Sequence, residues 1–189
     1  MAVMNDKAYM CWDYYGDHMD ACMTFDGHVA SILDAKSRFV HDCGVMCAKD
    51  NSIYGGGGRL NTREFEQFID NEWHWTVELN HPNENGLRDA SCITVDEGVL
   101  FLSSRSIGTY LFNTEKRSWS YVGNPNTYNP TIRYIHGNIW AFQGHHNDYN
   151  VHLIWDGNSI QEGERVYLPE KYKIMFPIVI DEDEYSHIC

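Results

Sequence analysis

Short apolar runs, each closed by an Asp or Asn, recur along this chain at a nearly fixed spacing. Four segments carry the pattern: Met23-Thr24-Phe25-Asp26, Gln67-Phe68-Ile69-Asp70, Tyr110-Leu111-Phe112-Asn113 and Leu153-Ile154-Trp155-Asp156. Their closing residues stand 44, 43 and 43 positions apart. A second series runs through Lys7-Ala8-Tyr9, Ser52-Ile53-Tyr54, Val99-Leu100-Phe101, Asn138-Ile139-Trp140 and Glu184-Tyr185, with steps of 45, 46, 40 and 45. Runs of this length, rich in aromatic and β-branched residues and bounded by polar turn residues, read as strands. No segment predicts a helix of useful length.

Each period has one grammar: strand, turn, strand, variable loop, strand, turn, strand. In the second period the expected strands are Cys43 to Ala48, Ser52 into Gly55-Gly56-Gly57-Gly58, Glu64 to Ile69 and Trp73 to Leu79. The third period repeats it over Ala90–Val95, Val99–Leu102, Gly108–Phe112 and Ser118–Val122. The fourth runs Thr131–Ile135, Ile139–Phe142, Val151–Trp155 and a weaker strand near Gly163–Tyr167. Pro82, Pro125, Pro130 and Pro169 fall between periods, where no ladder hydrogen bond is lost. A repeat of ~40–50 residues built of short strands is the signature of propeller blades. The expected fold is all-β: a single region, 1–189, with four blades at about 1–37, 38–83, 84–126 and 127–172 and the start of a fifth at 173–189. Within that fifth, Asp181-Glu182-Asp183-Glu184 lacks the ligand spacing and turn glycine of a calcium loop and reads as a hairpin turn. A ring left open exposes strand edges that pair with other chains, so self-association is expected.

The details resemble the kelch-repeat family, whose blades close the second strand on a Gly-Gly pair and end the third on a Tyr-Asp-like pair. An aromatic, usually Trp, follows about six residues on. The second period matches with Gly55-Gly56, Ile69-Asp70 and Trp75. The third has Phe112-Asn113 and Trp119 but Ser103-Ser104 for the glycines; the fourth has Gln143-Gly144 and Trp155-Asp156 but Glu162 for the Trp. The first has Phe25-Asp26 with Ile32 in the Trp position. In such a blade the glycines let backbones approach near the crowded axis and the outer aromatic fills the wedge between neighbours. Gly144-His145 and Trp155-Asp156 mimic WD-repeat dipeptides, a rival confined to the fourth period. The resemblance implies an adaptor-type binding module; some kelch-like propellers are instead oxidases or sugar isomerases.

Composition narrows the partners. A net charge of −13 argues against a nucleic-acid backbone. No apolar run reaches the ~18 residues of a membrane-spanning helix. Six cysteines, at 11, 22, 43, 47, 92 and 189, form no zinc-like CxxC pair. Cys11 and Cys22 can face each other across a hairpin, but the favoured reading is reduced, small buried side chains. The absence of a secretory signal before Lys7 and of a usable glycosylation sequon leans toward a cytoplasmic protein.

Candidate chemistry is sparse. Gly55 to Gly58 lacks the Gly-Lys-Ser/Thr ending of a phosphate loop. His145, His146 and His152 have no cysteine or carboxylate to complete a tetrahedral set, so no metal and no cofactor are expected. Trp73 and Trp75 alternate with His74 and share one strand face, which reads as packing. No nucleophile–base arrangement is brought together by the repeat, and no catalytic residue is assigned. The variable second-to-third loops share one end of the blades: Trp12 to Met19, Arg59 to Arg63, Ser104 to Ser106 and His145 to Tyr149. They carry Trp12, Tyr14, Tyr15, His145 and Tyr149 beside Arg59, Arg63 and Arg105 on an otherwise acidic chain. Aromatics supply contact area, and guanidinium groups pair with carboxylates. The expectation is a non-enzymatic module binding a protein or peptide, acidic in character, on this loop face. The alternatives are a propeller enzyme, or a secreted carbohydrate- or matrix-binding protein; the last requires disulfides.

Overall fold

The structure is a computed structural model, and it describes residues 1–12, 20–42, 44–58, 63–80, 86–87, 90–103, 107–127, 130–142 and 149–167. Among the described residues every regular element is a strand, and the strands form four antiparallel sheets of four. Sheet 1 is β1 (Ala2–Met4), β2 (Lys7–Cys11), β3 (Cys22–Phe25) and β4 (Ala30–Ile32). Sheet 2 is β5 (Val45–Lys49), β6 (Ser52–Gly56), β7 (Phe65–Ile69) and β8 (Glu72–Trp75). Sheet 3 is β9 (Ser91–Val95), β10 (Gly98–Leu102), β11 (Thr109–Asn113) and β12 (Ser118–Gly123). Sheet 4 is β13 (Thr131–Ile135), β14 (Asn138–Phe142), β15 (Tyr149–Trp155) and β16 (Ile160–Tyr167). Each pairs its strands in chain order.

The period of the sequence is written in the turns. Asp26 Oδ1 accepts from the Val29 and His28 amides at 2.8 and 2.9 Å, and Asp156 Oδ1 from Ser159 and Asn158 at 2.7 and 2.9 Å. Asn113 Oδ1 accepts from the Lys116 amide at 2.7 Å. These side chains bond the backbone two or three residues on and so reverse the chain locally. The same amides hold both aspartates below the usual carboxylate range, Val29 and Ser159 contributing most. Asp70 reaches the same end differently: Asp70 and Asn71 take positive φ of 53° and 64°, the two-residue hairpin geometry that matches strand twist.

The sheets pack face to face in sequence around an axis. β1 lies beside β5, β5 beside β9 and β9 beside β13, and all four wall one channel of about 510 Å³. This is a propeller-like arrangement. Three apolar layers fill the gaps. Ala2 and Tyr9 meet Met46, Ile53 and Phe68 between sheets 1 and 2. Tyr54 and Phe65 meet Val99, Phe101 and Phe112 between sheets 2 and 3. Ile93, Leu100 and Leu111 meet Ile132, Ile139 and Leu153 between sheets 3 and 4. Each fully buried Phe or Ile contributes roughly 1.5–3 kcal/mol.

Wedge aromatics come from the outer strands, as expected, but not always from the expected residue. Trp119 on β12 packs on Phe65, Phe101 and Phe112 and donates its Nε1–H to the Val77 carbonyl at 2.7 Å, so it bridges sheets 3 and 2. In sheet 2 the wedge is Trp73, 5.4 Å from the Trp12 ring and 5.3 Å from Phe68. Trp75, the motif position, is 46% exposed and bonds Glu64 instead. The reason is position along the strand: Trp73 sits opposite Phe68, which packs toward sheet 1, while Trp75 lies two pairs further on the same face, opposite Glu66. In sheet 4 the buried residue is Ile160 rather than Glu162.

The four described cysteines are not reduced. Cys11 and Cys22 form a disulfide within sheet 1, opposite each other on β2 and β3. Cys47 and Cys92 form a second, joining β5 to β9 across the sheet 2–sheet 3 boundary. The reduced reading fails because the sheets bring each pair within bonding reach. Cys43, Cys189 and the expected fifth-blade strands lie outside the described residues.

Candidate binding face

A buried polar layer lies at one end of sheets 1 and 2. β2 runs directly into Trp12, whose backbone turns into positive φ (66°) and whose amide donates to the Ala21 carbonyl at 3.1 Å. That turn aims the indole inward. It donates to Ser37 Oγ at 3.1 Å, stacks 4.6 Å from His41 and leaves Trp12 5% exposed. Its ring occupies the space a side chain would need at Gly55: a Cβ there would lie 2.6 Å from the indole. The Gly55 signal in the sequence therefore serves a neighbouring tryptophan.

Beneath Trp12 lies the fully buried pair His41 and Glu66, with Nε2 and Oε2 2.9 Å apart. His41 Nδ1 donates to the Gly57 carbonyl at 3.2 Å. Glu66 also accepts from the backbone amides of Arg38 and Phe39, at 2.8 and 3.3 Å. One carboxylate thus ties the sheet 1–sheet 2 connection to β7, and its charge is shared among three donors. Nothing in the sequence pattern marks this pair, since the partners are 25 residues apart.

The loops above it are joined to one another. Gly57 donates to the Glu64 carbonyl at 3.0 Å and Gly58 to the Leu87 carbonyl at 3.2 Å, so the second-to-third loop of sheet 2 meets the connection into sheet 3. Gly58, at φ +97°, has Asp42 O where a Cβ would go, 2.2 Å away, so close passage of three loop backbones requires glycine.

The expected site residues divide. Trp12 is corrected from a surface anchor to a supporting one, because its ring fills the gap between sheets. Arg63 lies half-buried at this end with its guanidinium 4.0 Å from Glu78, while its carbonyl accepts from Leu79 at 3.1 Å. Tyr149 opens β15, with the Arg165 guanidinium 4.6 Å over its ring and Tyr167 5.6 Å away; Arg165 is paired in turn with Glu162. Tyr14, Tyr15, Arg59, Arg105 and His145 lie outside the described residues. His152, the third histidine weighed for a metal, stacks on Trp140 at 5.2 Å. Among the described residues no three His, Cys, Asp or Glu side chains gather as metal ligands.

The axial channel is the second concavity. Residues 1–3, 44–48, 90–94 and 131–134 line it, with Cys47 and Cys92 in the wall; among the described residues Arg133 is its single charged side chain and no carboxylate lines it.

No protein-family profile matches the chain, and no curated protein does. Among solved structures it is similar to YjhT, at 13% identity and a TM-score of 0.67 over 89% of this chain. The match spans 64% of the YjhT chain, so this chain covers less than two thirds of that neighbour. At this identity the likeness speaks for the fold alone.

Proposed function

We propose that the chain is a kelch-type propeller module that binds a protein or peptide segment on the loop face above Trp12, His41 and Glu66. The observation that carries this reading is the joining of the sheet 2 loop to the next connection, Gly58 to Leu87, over a rigid buried layer. Loops pinned to a scaffold in this way hold binding groups in fixed relation. Arg63 at this end, with Arg59 and Arg105 in the equivalent sequence loops, suits an acidic partner. The test is affinity for an array of Asp- and Glu-rich peptides. Replacing any one of the three arginines by Ala is expected to weaken the best binder by about 1–3 kcal/mol and to leave the unfolding midpoint unchanged. Unchanged affinity in all three variants rejects the face.

A second reading is favoured by the disulfides. Bonds such as Cys11–Cys22 and Cys47–Cys92 persist in oxidising compartments, which suits a secreted binding protein acting on carbohydrate or matrix. Thiol alkylation of the purified protein without reductant should leave these four cysteines unmodified by peptide mass. Complete modification rejects this reading and leaves the first intact.

A further inference from the structure

The two disulfides stand in unlike surroundings. Cys11 and Cys22 border an apolar groove of about 380 Å³ on sheet 1, with Met10, Trp12, Met23 and Ile32 around them. Among the described residues no charged side chain lines that groove, and Cys22 is 2% exposed. Cys47 and Cys92 stand in the wall of the axial channel instead, and both are partly exposed.

The channel has the size and the wall to admit a small polar molecule. Its volume of about 510 Å³ lies within the range of small-molecule sites. The strands around it, β1, β5, β9 and β13, are the inner edges of their sheets, and each is paired on one side only. Such edges leave backbone N–H and C=O groups free for a solute. The Ser91, Thr94 and Thr131 hydroxyls line the channel as well, and Ser91 Oγ has no hydrogen-bond partner among the described residues.

Its charge is opposite to that of the chain, whose net charge is −13. Arg133, the single charged side chain among the described lining residues, donates to the Ile132 carbonyl at 2.8 Å and pairs with no carboxylate there. Asp96 and Glu97, which after burial itself push up the Tyr134 phenol, belong to the β9–β10 turn and do not line the channel. A cleft lined by one sign of charge concentrates solutes of the other sign.

We infer that the Cys47–Cys92 bond is a thiol-exchange site, opened by small thiols that carry an additional negative charge and enter through the axial channel. The thiolate attacks Sγ of Cys47 or Cys92. A new S–S bond to the small molecule forms as the protein's bond breaks, and the displaced cysteine leaves as a thiolate. A second small thiolate then attacks the small molecule's sulfur in this mixed disulfide. The remaining cysteine leaves as a thiolate and the reductant departs as its own disulfide, so two electrons pass to the protein. Arg133 draws the anionic thiol to the bond. Exchange removes the covalent link between β5 and β9, and with it the bridge from sheet 2 to sheet 3. The acidic-peptide face proposed above is not required for any of these steps.

The test uses the full oxidised chain at low salt with three probes: mercaptoethanesulfonate (anionic), mercaptoethanol (neutral) and cysteamine (cationic). Samples are quenched by alkylation, and peptide mass gives the initial rate of opening at each disulfide. Dividing the Cys47–Cys92 rate by the Cys11–Cys22 rate cancels each probe's own nucleophilicity. With mercaptoethanesulfonate that ratio is expected to exceed one and to be about threefold or more above its value with cysteamine, the difference shrinking as salt is added. Arg133→Gln should bring the ratios of the three probes together, whereas Arg133→Lys should keep them apart. Cooperative urea unfolding of both variants checks the fold, and the salt series on wild type decides alone if Arg133→Gln fails that check. Equal ratios for all probes in wild type overturn the inference. So does earlier opening of Cys11–Cys22, a probe difference that survives in folded Arg133→Gln or in high salt, or alkylation of Cys47 and Cys92 before any thiol is added.

Discussion

Replacing Glu66 by Ala is expected to lower stability by about 3–5 kcal/mol, the range for removing one member of a buried ion pair. The carboxylate is fully buried and serves His41 Nε2 and the amides of Arg38 and Phe39 together. Its loss strands three donors that water cannot reach. Around them, the Trp12 ring and the Gly57 carbonyl hold His41 in place, so the imidazole cannot swing out to solvent without opening the sheet 1–sheet 2 gap. At 2–4 °C per kcal/mol for a chain of this size, the unfolding midpoint should fall by roughly 6–20 °C. Glu66→Gln keeps one acceptor oxygen and should lose less. Urea titration of both variants decides the matter: a Glu66→Ala protein within about 1 kcal/mol of wild type would mean that the pair is not closed.

Removing the Cys47–Cys92 bond by double substitution to Ser should cost about 4 kcal/mol, from the loop-closure entropy of its 45-residue separation. The same relation gives about 3 kcal/mol for Cys11–Cys22, whose separation is 11. The larger loss also has a structural side. Cys11–Cys22 reinforces strands already paired in one sheet, whereas Cys47–Cys92 joins innermost strands of two sheets that share no strand pairing and are otherwise held by packing and side-chain hydrogen bonds such as Trp119 to Val77. Thermal unfolding of the two double variants, with reductant added to wild type as a third arm, should rank Cys47/Cys92 below Cys11/Cys22. The reverse order, or no change for Cys47/Cys92, would contradict the bridge between sheets.

The sequence by itself determined the repeating unit, because that unit is made of local chemistry. An Asp or Asn side chain bonds amides two or three residues away, so Asp26, Asn113 and Asp156 announce their hairpins without reference to anything distant. Strand alternation is equally local. It placed Thr131–Ile135 at its observed bounds and most other strands within a residue or two.

What only the tertiary structure decided is which side of each strand meets a neighbouring sheet, and what meets it there. Trp75 fits the motif by count, yet Trp73 is the wedge, because, of two positions on one strand face, only Trp73 meets Phe68 and the Trp12 ring. Trp12 has the look of an exposed anchor at a loop, but a left-handed backbone step turns it into the gap over Gly55. Cys47 and Cys92 stand one period apart, a signal that the repeat contained; equivalent positions on innermost strands are neighbours about the axis, and the bond follows only once β5 lies beside β9. His41 and Glu66 belong to different segments, and the low-polarity gap that makes their pairing obligatory exists only after two sheets have closed over it.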